Sequence, residues 1–547
     1  MQNNASVVTT TGDTPAGRPV TPAIKYLARL AIALAIAAAV LHEICLVFDL
    51  TRRTYGEGPI VALCERMRDE PLSAAWMREF PYGLSCYGPA YYWVTNLLVA
   101  ASGWQHSFIP GRVVALICGL AIAALAGFTA RRHTGNTELG LLAAAMFLVS
   151  LPFADWLPFA RVDTLAVMFS AAAYWSLGRD LRSVLLAAVC VAVGSLAKPT
   201  AALTAVPIFA HLLLTRRYRE AGWFAAVVSA LGLAAWGLVQ WCTGGFFLTA
   251  VLNGNVNPMS LWKGYATSYE FLPTPLATGA FITAAWLFLS GRVRASSTPR
   301  EKDGPPGPSP AYMTAWEGHP PFFQSLFSLG FVVEFAICAL LCCKRGAEIN
   351  YFLEPALLAS LAITIDGLPR LVELNARRAM FAMTILAGVI ALPSVRDTKA
   401  VWRSLPARPT WFALVREWLA DEPANVELLA DAKVIDMVLE SGHRPAVNDP
   451  YLYTMMVGNG TLESSPLLER MRDGRIKWLF FHRTLPYHLG AIERDTHMWP
   501  PDVIEALPRY YEAVAAEQGL YIYRHRKFGG QTAAAHRREN GRDGTGR

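Results

Sequence analysis

From residue 25 to residue 393 the chain is one apolar run after another, and a particular set of ionisable residues falls at the run ends: Asp49, Glu57, Arg161, Asp163, Lys198, Glu348 and Glu354. Apolar runs of about 15–22 residues leave a chain little choice of fold. A soluble globule could not hide so many of them, whereas a helix of about 20 residues spans the hydrocarbon core of a bilayer. Of 547 residues, 53% are hydrophobic and only 17% charged, which agrees with a mainly α, polytopic membrane helix bundle.

The net charge of +7 does not point to nucleic acid. Most Lys and Arg sit in short loops and in the C-terminal tail, as membrane topology demands. Residues 1–24 are polar and rich in Thr, Pro and Gly, and they lack the short apolar core of a secretory leader. They read as a disordered cytoplasmic tail, and Tyr26–Phe48 as a retained helix. Most of the nine Cys lie within or beside apolar runs and show no metal-ligand spacing. Cys64 and Cys86 share one polar loop and form the pair open to a disulfide.

The expected helices are roughly 25–48, 111–130, 138–154, 163–178, 183–197, 199–215, 221–242, 274–290, 322–343, 351–365 and 378–393. The basic clusters at 131–133, 179–182, 216–219, 292–302 and 370–378 all fall on the cytoplasmic side if the N-terminus is inside and the stretch 89–103 does not cross. That stretch, rich in Tyr and Trp, then reads as an interfacial or re-entrant helix. The threading gives about eleven crossings, with exoplasmic pieces at 49–110, 243–273 and from 394 onward. It also places every ionisable residue named above on the exoplasmic face.

Residues 291–321 contain a Pro/Gly-rich linker with no recognisable chemistry. Beyond 394 the apolar residues become intermittent. Strand-like runs at 475–482 and 520–524, with charged helical stretches at 427–439 and 501–518, read as a small α/β domain over 394–526 outside the membrane. The Gly- and Arg-rich tail, 527–547, reads as disordered.

The first exoplasmic loop holds Asp49 and Glu57, flanked by Arg52, Arg53 and permissive Gly56 and Gly58. Either carboxylate could take a proton from an acceptor hydroxyl; an ordinary polar loop with an Arg–Asp pair is the plainer reading. Tyr87-Gly88-Pro89 opens an aromatic helix entry suited to stacking on a sugar or to anchoring at the interface. Arg161 suits a phosphate through its planar donors. Asp163 is a second acid, a helix N-cap, or both. Lys198-Pro199 interrupts an apolar run bracketed by basic clusters, so it sits at an exoplasmic turn, binding phosphate or snorkelling to headgroups. Asn350, Tyr351 and Glu354 lie at the start of a helix, with Glu354 one turn beyond the Asn350 cap. Glu334 is buried in its helix and calls for a partner.

In their order and common sidedness these motifs resemble the GT-C glycosyltransferases that use lipid-phosphate sugars. Those include the protein O-mannosyltransferases, the aminoarabinose transferase acting on lipid A, and the bacterial RgtA/B/C/D-like group. The resemblance covers about residues 40–365. Asp49 and Glu57 correspond to the family's first-loop acids, Tyr87-Gly88-Pro89 to its aromatic–Pro entry, and Arg161-Val-Asp163 to its Arg-x-Asp step. Lys198 is similar to its inter-helix Lys, and Asn350 to Glu354 to its Asn-Tyr-x-x-Glu element.

The resemblance implies a sugar donor on polyprenyl phosphate, an acceptor hydroxyl on a lipid, glycan or protein, and inverting transfer at the outer face of the cytoplasmic membrane. Asp49 or Glu57 would be the base, and Arg161 and Lys198 the phosphate ligands. Relatives differ in using a divalent metal ion, and no ligand spacing here is diagnostic. The main rival is a secondary transporter, which would show repeated halves and broken helices meeting at the bilayer midplane. No repeat is visible, and the polar residues gather at one surface. A non-catalytic scaffold, its acidic loop docking partners, is a further rival.

Overall fold

The computed structural model of the chain describes residues 22–51, 54–297, 325–369 and 410–529, short breaks at 72, 74, 345 and 494–497 apart. The helix expected over 378–393, most of the 291–321 linker and nearly all of both expected tails lie outside the described residues. Where the chain is described it is mainly helical, and most expected membrane helices are present within a few residues of their expected bounds. Among these residues four helices are long and apolar enough to cross a membrane: Lys25–Phe48, Ile109–Thr134, Tyr218–Cys242 and Ile349–Gly367. A fifth candidate is the pair Leu261–Phe271 and Pro275–Leu289, bent by 93°. The expected eleven crossings are thus not reached by length and composition.

The shortfall has local causes. The helix expected over 138–154 breaks at Ser150, whose extended backbone precedes a restart at Leu151-Pro152. The turn expected at Lys198-Pro199 is present, Pro199 turning Lys198 out of the helical region, to φ −140° and ψ 123°. A short 3-10 stretch, Pro199–Thr204, then leads into the helix Ala205–Leu214. The loop expected over 243–273 is itself folded into helices, Phe246–Asn253 and Leu261–Phe271.

Sidedness follows the positive residues. Arg29 pairs with Glu138 at 2.7 Å; Arg132 donates to the Trp175 carbonyl and Arg217 to that of Gly178. The basic turns therefore meet at one end of the bundle. At the other end lie the loop after Phe48, Lys198 and the turn before Ile349. The helix Ala90–Ser102 begins and ends at this second end: Asn96 donates to the Cys64 carbonyl, and His106, just past its end, pairs with Glu65. It runs along the helix Glu57–Asp69. Cys64 and Cys86 are both free thiols.

The expected α/β domain is present and sits on this second end. Its four strands, β1 (Glu427–Ala430), β2 (Ile476–Phe481), β3 (Tyr511–Glu517) and β4 (Leu520–His525), form one sheet in the order β1-β2-β4-β3. β1 runs parallel to β2, and the other pairs are antiparallel. Two expected helices are corrected. Residues 427–430 pair with β2 as a strand, and the helix starts only at Ile435. The stretch 501–518 is helical only to Tyr510; beyond it lies β3, joined to β4 through Gln518 and Gly519 at φ 50° and 85°. Two positive φ values in a two-residue loop match the twist of a hairpin, and that outweighs the helix propensity of Glu512–Glu517.

The domain is clamped to the first loop. The Asn448 side chain accepts from Leu84 N–H at 2.6 Å and donates to the Leu84 carbonyl at 3.1 Å, and Tyr82 bridges to Val447 as in a parallel sheet. Arg444 forms ion pairs with Asp69 and Glu70 on the Glu57–Asp69 helix.

Candidate active site

Four residues expected to carry chemistry meet around one carboxylate. Asp163 stands at the start of the helix Asp163–Ser176. Its Oδ1 accepts from Lys198 Nζ at 2.6 Å and from Asn350 Nδ2 at 2.7 Å. Its Oδ2 accepts from Trp156 Nε1 at 3.0 Å, with Arg161 Nε 4.0 Å away. Residues far apart in the chain thus share one anion, and all but the partly exposed Arg161 are buried. A lone charge so placed would be expensive, and these partners make it tenable. The N-cap of that helix is Val162, and the Asp163 side chain is turned instead to Lys198, Asn350 and Trp156.

The cations are held by aromatic faces as well. Lys198 Nζ lies 4.2 Å from the Tyr351 ring centre, Lys344 Nζ 5.3 Å from the same ring, and the Arg161 guanidinium 4.8 Å from Trp156. Tyr87 stands within electrostatic reach of Arg161, Asp163 and Lys198. Arg161 also lies across Gly56, where a Cβ would fall 1.3 Å from Nη1. A side chain at position 56 would displace the guanidinium.

Glu57 is placed differently. It is 2% exposed and takes a bidentate grip from Arg112, Nε to Oε1 at 2.7 Å and Nη2 to Oε2 at 2.9 Å. The N–H groups of Ala160 and Thr54 complete its acceptor sites at 2.9 and 3.2 Å. Arg112, itself wholly buried, also donates to the carbonyls of Leu46 and Asp49. It therefore satisfies the open end of the Pro22–Phe48 helix while neutralising the Glu57 carboxylate at the start of the next. Asp49, just past that helix, accepts at Oδ1 from the Thr51 N–H and hydroxyl, at 2.9 and 2.6 Å.

Glu354 lies deeper. Tyr174, Ser170 and Thr204 hydroxyls donate to it at 2.9, 3.2 and 3.0 Å, and no cation touches it among the described residues. It lines a cavity of about 40 Å³ together with Lys198, Asn350, Tyr351 and Glu334. Glu334 faces the same cavity, and one of its carboxylate oxygens has no hydrogen-bond partner among the described residues. Glu348 stands apart, exposed and 3.7 Å from Lys263.

Sequence reasoning overlooked Arg112, Trp156 and Lys344, although Arg112 gave the same signal as Arg161: a cation at the mouth of an apolar run. It also missed Asp449 and Tyr451 of the extramembrane domain, for which the sequence gave no signal. The Tyr451 ring meets Tyr55 edge-on at 5.7 Å. Asp449 caps the helix Pro450–Gly458 and lies within electrostatic reach of Tyr55 and Arg161.

Burial raises the Asp449 carboxyl from its ordinary 3.8 to about 6, with Arg161 and the helix-cap N–H groups pulling the other way. A carboxyl whose folded value exceeds its unfolded one binds an extra proton on folding. Its penalty is absent below 3.8, grows as pH rises, and is complete above about 6. Asp449→Asn keeps the cap and removes the charge, so it should stabilise the protein at pH 7.5 by about 1–3 kcal/mol. Melting of the full-length protein in detergent checks this. The gain should fade towards pH 4, and a pH-independent gain would remove titration as its cause.

Among the described residues no three His, Cys, Asp or Glu side chains gather to hold a metal ion. Asp163 is matched by Lys198 and Asn350, and Glu57 by Arg112. This donor set does not fit a resident divalent ion, and no step below is routed through one.

The model of the family described as dolichyl-phosphate-mannose-protein mannosyltransferase matches residues 87–241, the part that carries Tyr87, Arg161, Asp163 and Lys198. The structure is similar to that of ArnT from Cupriavidus metallidurans bound to undecaprenyl phosphate: TM-score 0.54, 14% identity, 90% of this chain and 97% of that one covered. Apo ArnT gives a TM-score of 0.57 at 13% identity, over 92% and 98% of the two chains. The archaeal oligosaccharyltransferase AglB from Archaeoglobus fulgidus, in complex with an inhibitory peptide and a dolichol-phosphate, gives 0.53 at 11% identity, over 93% and 75%. No curated protein matches the sequence. The chain is a polytopic membrane protein. Its fold is shared with ArnT and AglB.

Proposed function

We propose that this protein transfers a sugar from a polyprenyl-phosphate donor to an acceptor hydroxyl at the exoplasmic face of the cytoplasmic membrane, its N-terminus inside and its α/β domain outside. The observation that carries the reading is the set Arg161, Lys198 and Asn350 around the buried Asp163, at the bundle end opposite the basic turns. It is supported by the family match over the same residues and by solved structures of this fold with undecaprenyl phosphate and dolichol-phosphate. A transporter has no comparable support.

In the proposed reaction the acceptor oxygen attacks the anomeric carbon from the side opposite the phosphate. The carbon–oxygen bond to phosphate breaks, the electron pair leaves with the phosphate, and configuration inverts. Arg161 and Lys198 meet the charge that develops there; fixed cations in a dry site do this best. An ammonium has three N–H donors and Asp163 takes one, which leaves Lys198 able to serve a phosphate. Asn350 and Trp156 fix Asp163, and Tyr87 and Tyr351 line the cationic pocket. Glu354 orders the hydroxyls beneath it.

The acceptor proton goes to Asp49. Glu57 is the less suitable base because both its oxygens are occupied by a buried guanidinium and two backbone N–H groups. Purified protein incubated with a panel of polyprenyl-phosphate sugars tests the reading. Asp49→Asn is expected to lower transfer by about 10²–10⁴-fold while the protein still folds and binds undecaprenyl phosphate. Uptake of a soluble solute by reconstituted protein, unaffected by Asp49→Asn, would falsify the enzyme reading.

A further inference from the structure

The extramembrane domain reaches the site through one short segment, Asp449-Pro450-Tyr451, and both flanks of that segment are fixed. On one side the Asn448 side chain is doubly hydrogen-bonded to Leu84. On the other, Asp449 Oδ1 accepts from the Leu452 N–H at 3.0 Å and starts the helix Pro450–Gly458. Leu452 then presses into the space over Gly254. Tyr451 meets Tyr55 at 5.7 Å, with rings at 75°, and its hydroxyl covers Gly346, where φ is +81° and a Cβ would stand 2.7 Å from the oxygen. Tyr55 in turn adjoins Gly56, over which Arg161 lies.

The cap alone does not account for an acid at 449. Ser, Thr or Asn would cap the helix equally well without a buried charge. Among the described residues no Lys, Arg or His lies within ion-pair distance of Asp449, and Arg161 acts on it only from further off. A half-buried carboxylate kept without an ion pair costs some stability. Its position suggests what it serves. In a polyprenyl-phosphate sugar the ring is attached directly to the phosphate, so a phosphate on Arg161 brings the sugar hydroxyls towards the side of the site where Asp449, Tyr55 and Tyr451 stand.

We propose that Asp449 and the Tyr451–Tyr55 ring pair form the sugar-recognising wall of the site, Asp449 accepting hydrogen bonds from hydroxyls of the donor sugar and the rings covering its apolar face. The proposal rests on the glycosyltransferase reading above. It assigns the extramembrane domain to donor selection and makes Asp449 and Tyr451 specificity-determining residues. A carboxylate is an acceptor-only group with two oxygens, which suits neighbouring hydroxyls. Two tyrosine rings set edge-on form a rigid apolar surface with polar tips.

The test is binding of undecaprenyl phosphate, and of a panel of undecaprenyl-phosphate sugars, to the full-length protein in detergent, read by native mass spectrometry. Wild type should bind its preferred sugar lipid at least about tenfold more tightly than the bare lipid, about one good hydrogen-bonding contact. Asp449→Asn and Tyr451→Ala should each erase most of that ratio and leave affinity for the bare lipid unchanged. Tyr451→Phe, which keeps the ring, should preserve most of it. If Asp449→Asn and Tyr451→Ala melt as cooperatively as wild type and keep the full ratio, the proposal is overturned while the donor reading stands. If wild type binds neither undecaprenyl phosphate nor any sugar lipid, the donor reading fails and takes this proposal with it.

Discussion

Glu57→Ala is expected to cost the protein about 3–5 kcal/mol, because it strands Arg112 as an unpaired buried guanidinium. Arg112→Ala should cost at least as much. It removes both bonds to Glu57 and, in addition, the donors that satisfy the Leu46 and Asp49 carbonyls. Replacing both members together, as Glu57→Leu with Arg112→Met, should recover much of the loss, since the desolvation of two charges then disappears along with their attraction. Thermal unfolding of the full-length protein in detergent reads all three. The chemical consequence separates the two first-loop acids. Arg112 fixes the backbone that presents Asp49, so Glu57→Ala should also lower transfer, through a misplaced base. Glu57→Gln, able to keep one hydrogen bond to Arg112, should lose stability yet retain measurable transfer, whereas Asp49→Asn should lose transfer and retain stability. A Glu57→Gln protein that melts like wild type and is inert would reverse these assignments.

Much of this site was legible in the sequence because charge in a membrane is costly and therefore informative. Arg161, Asp163, Lys198 and Asn350 were picked out one by one as polar residues at run ends, and the fold places them around a single anion. Lys198 could be placed at a turn from the sequence because basic clusters bracket its apolar run at both ends. What the sequence could not show was which polar residues would pair. Glu57 and Asp49 look equivalent on paper, and only the fold gives Glu57 to Arg112. Glu334 announced a partner without naming it.

The extramembrane domain was less legible, for a different reason. Outside the bilayer, apolar periodicity is short and ambiguous. Residues 427–430 sit in a stretch that reads as helix until β2 supplies a parallel edge, and β3 depends on a two-residue turn whose φ values the sequence only hints at. Asp449 was invisible because its significance is entirely tertiary: Tyr55 and Arg161, which it and Tyr451 approach, lie nearly 300 or more residues away in the chain. Among the described residues, length and composition alone pick out fewer crossings than the threading, in part because Ser150 cuts the helix expected over 138–154 short, which a hydropathy reading smooths over.

Lys198→Met should lower the rate of sugar transfer by about 10²–10³-fold, the scale seen when one fixed donor to developing charge is removed, and it should weaken binding of undecaprenyl phosphate. Asp163→Ala is expected to do comparable damage without contacting the substrate. It frees Lys198, Asn350 and Trp156 from their common acceptor and leaves two cations with no buried counter-charge to orient them. Because the two residues act as one unit, the double variant should be scarcely worse than the more damaged single variant. Asp163→Asn should fall between, since an amide oxygen can still accept from Lys198 but cannot neutralise it. Lys198→Arg should not rescue activity, because a planar fork does not reproduce a point ammonium held between a carboxylate and the Tyr351 ring. The decisive measurement is the double-mutant cycle on turnover of the preferred polyprenyl-phosphate sugar. If the two single losses multiply, Lys198 and Asp163 act independently, and the shared-anion architecture is not what holds the phosphate ligands in place.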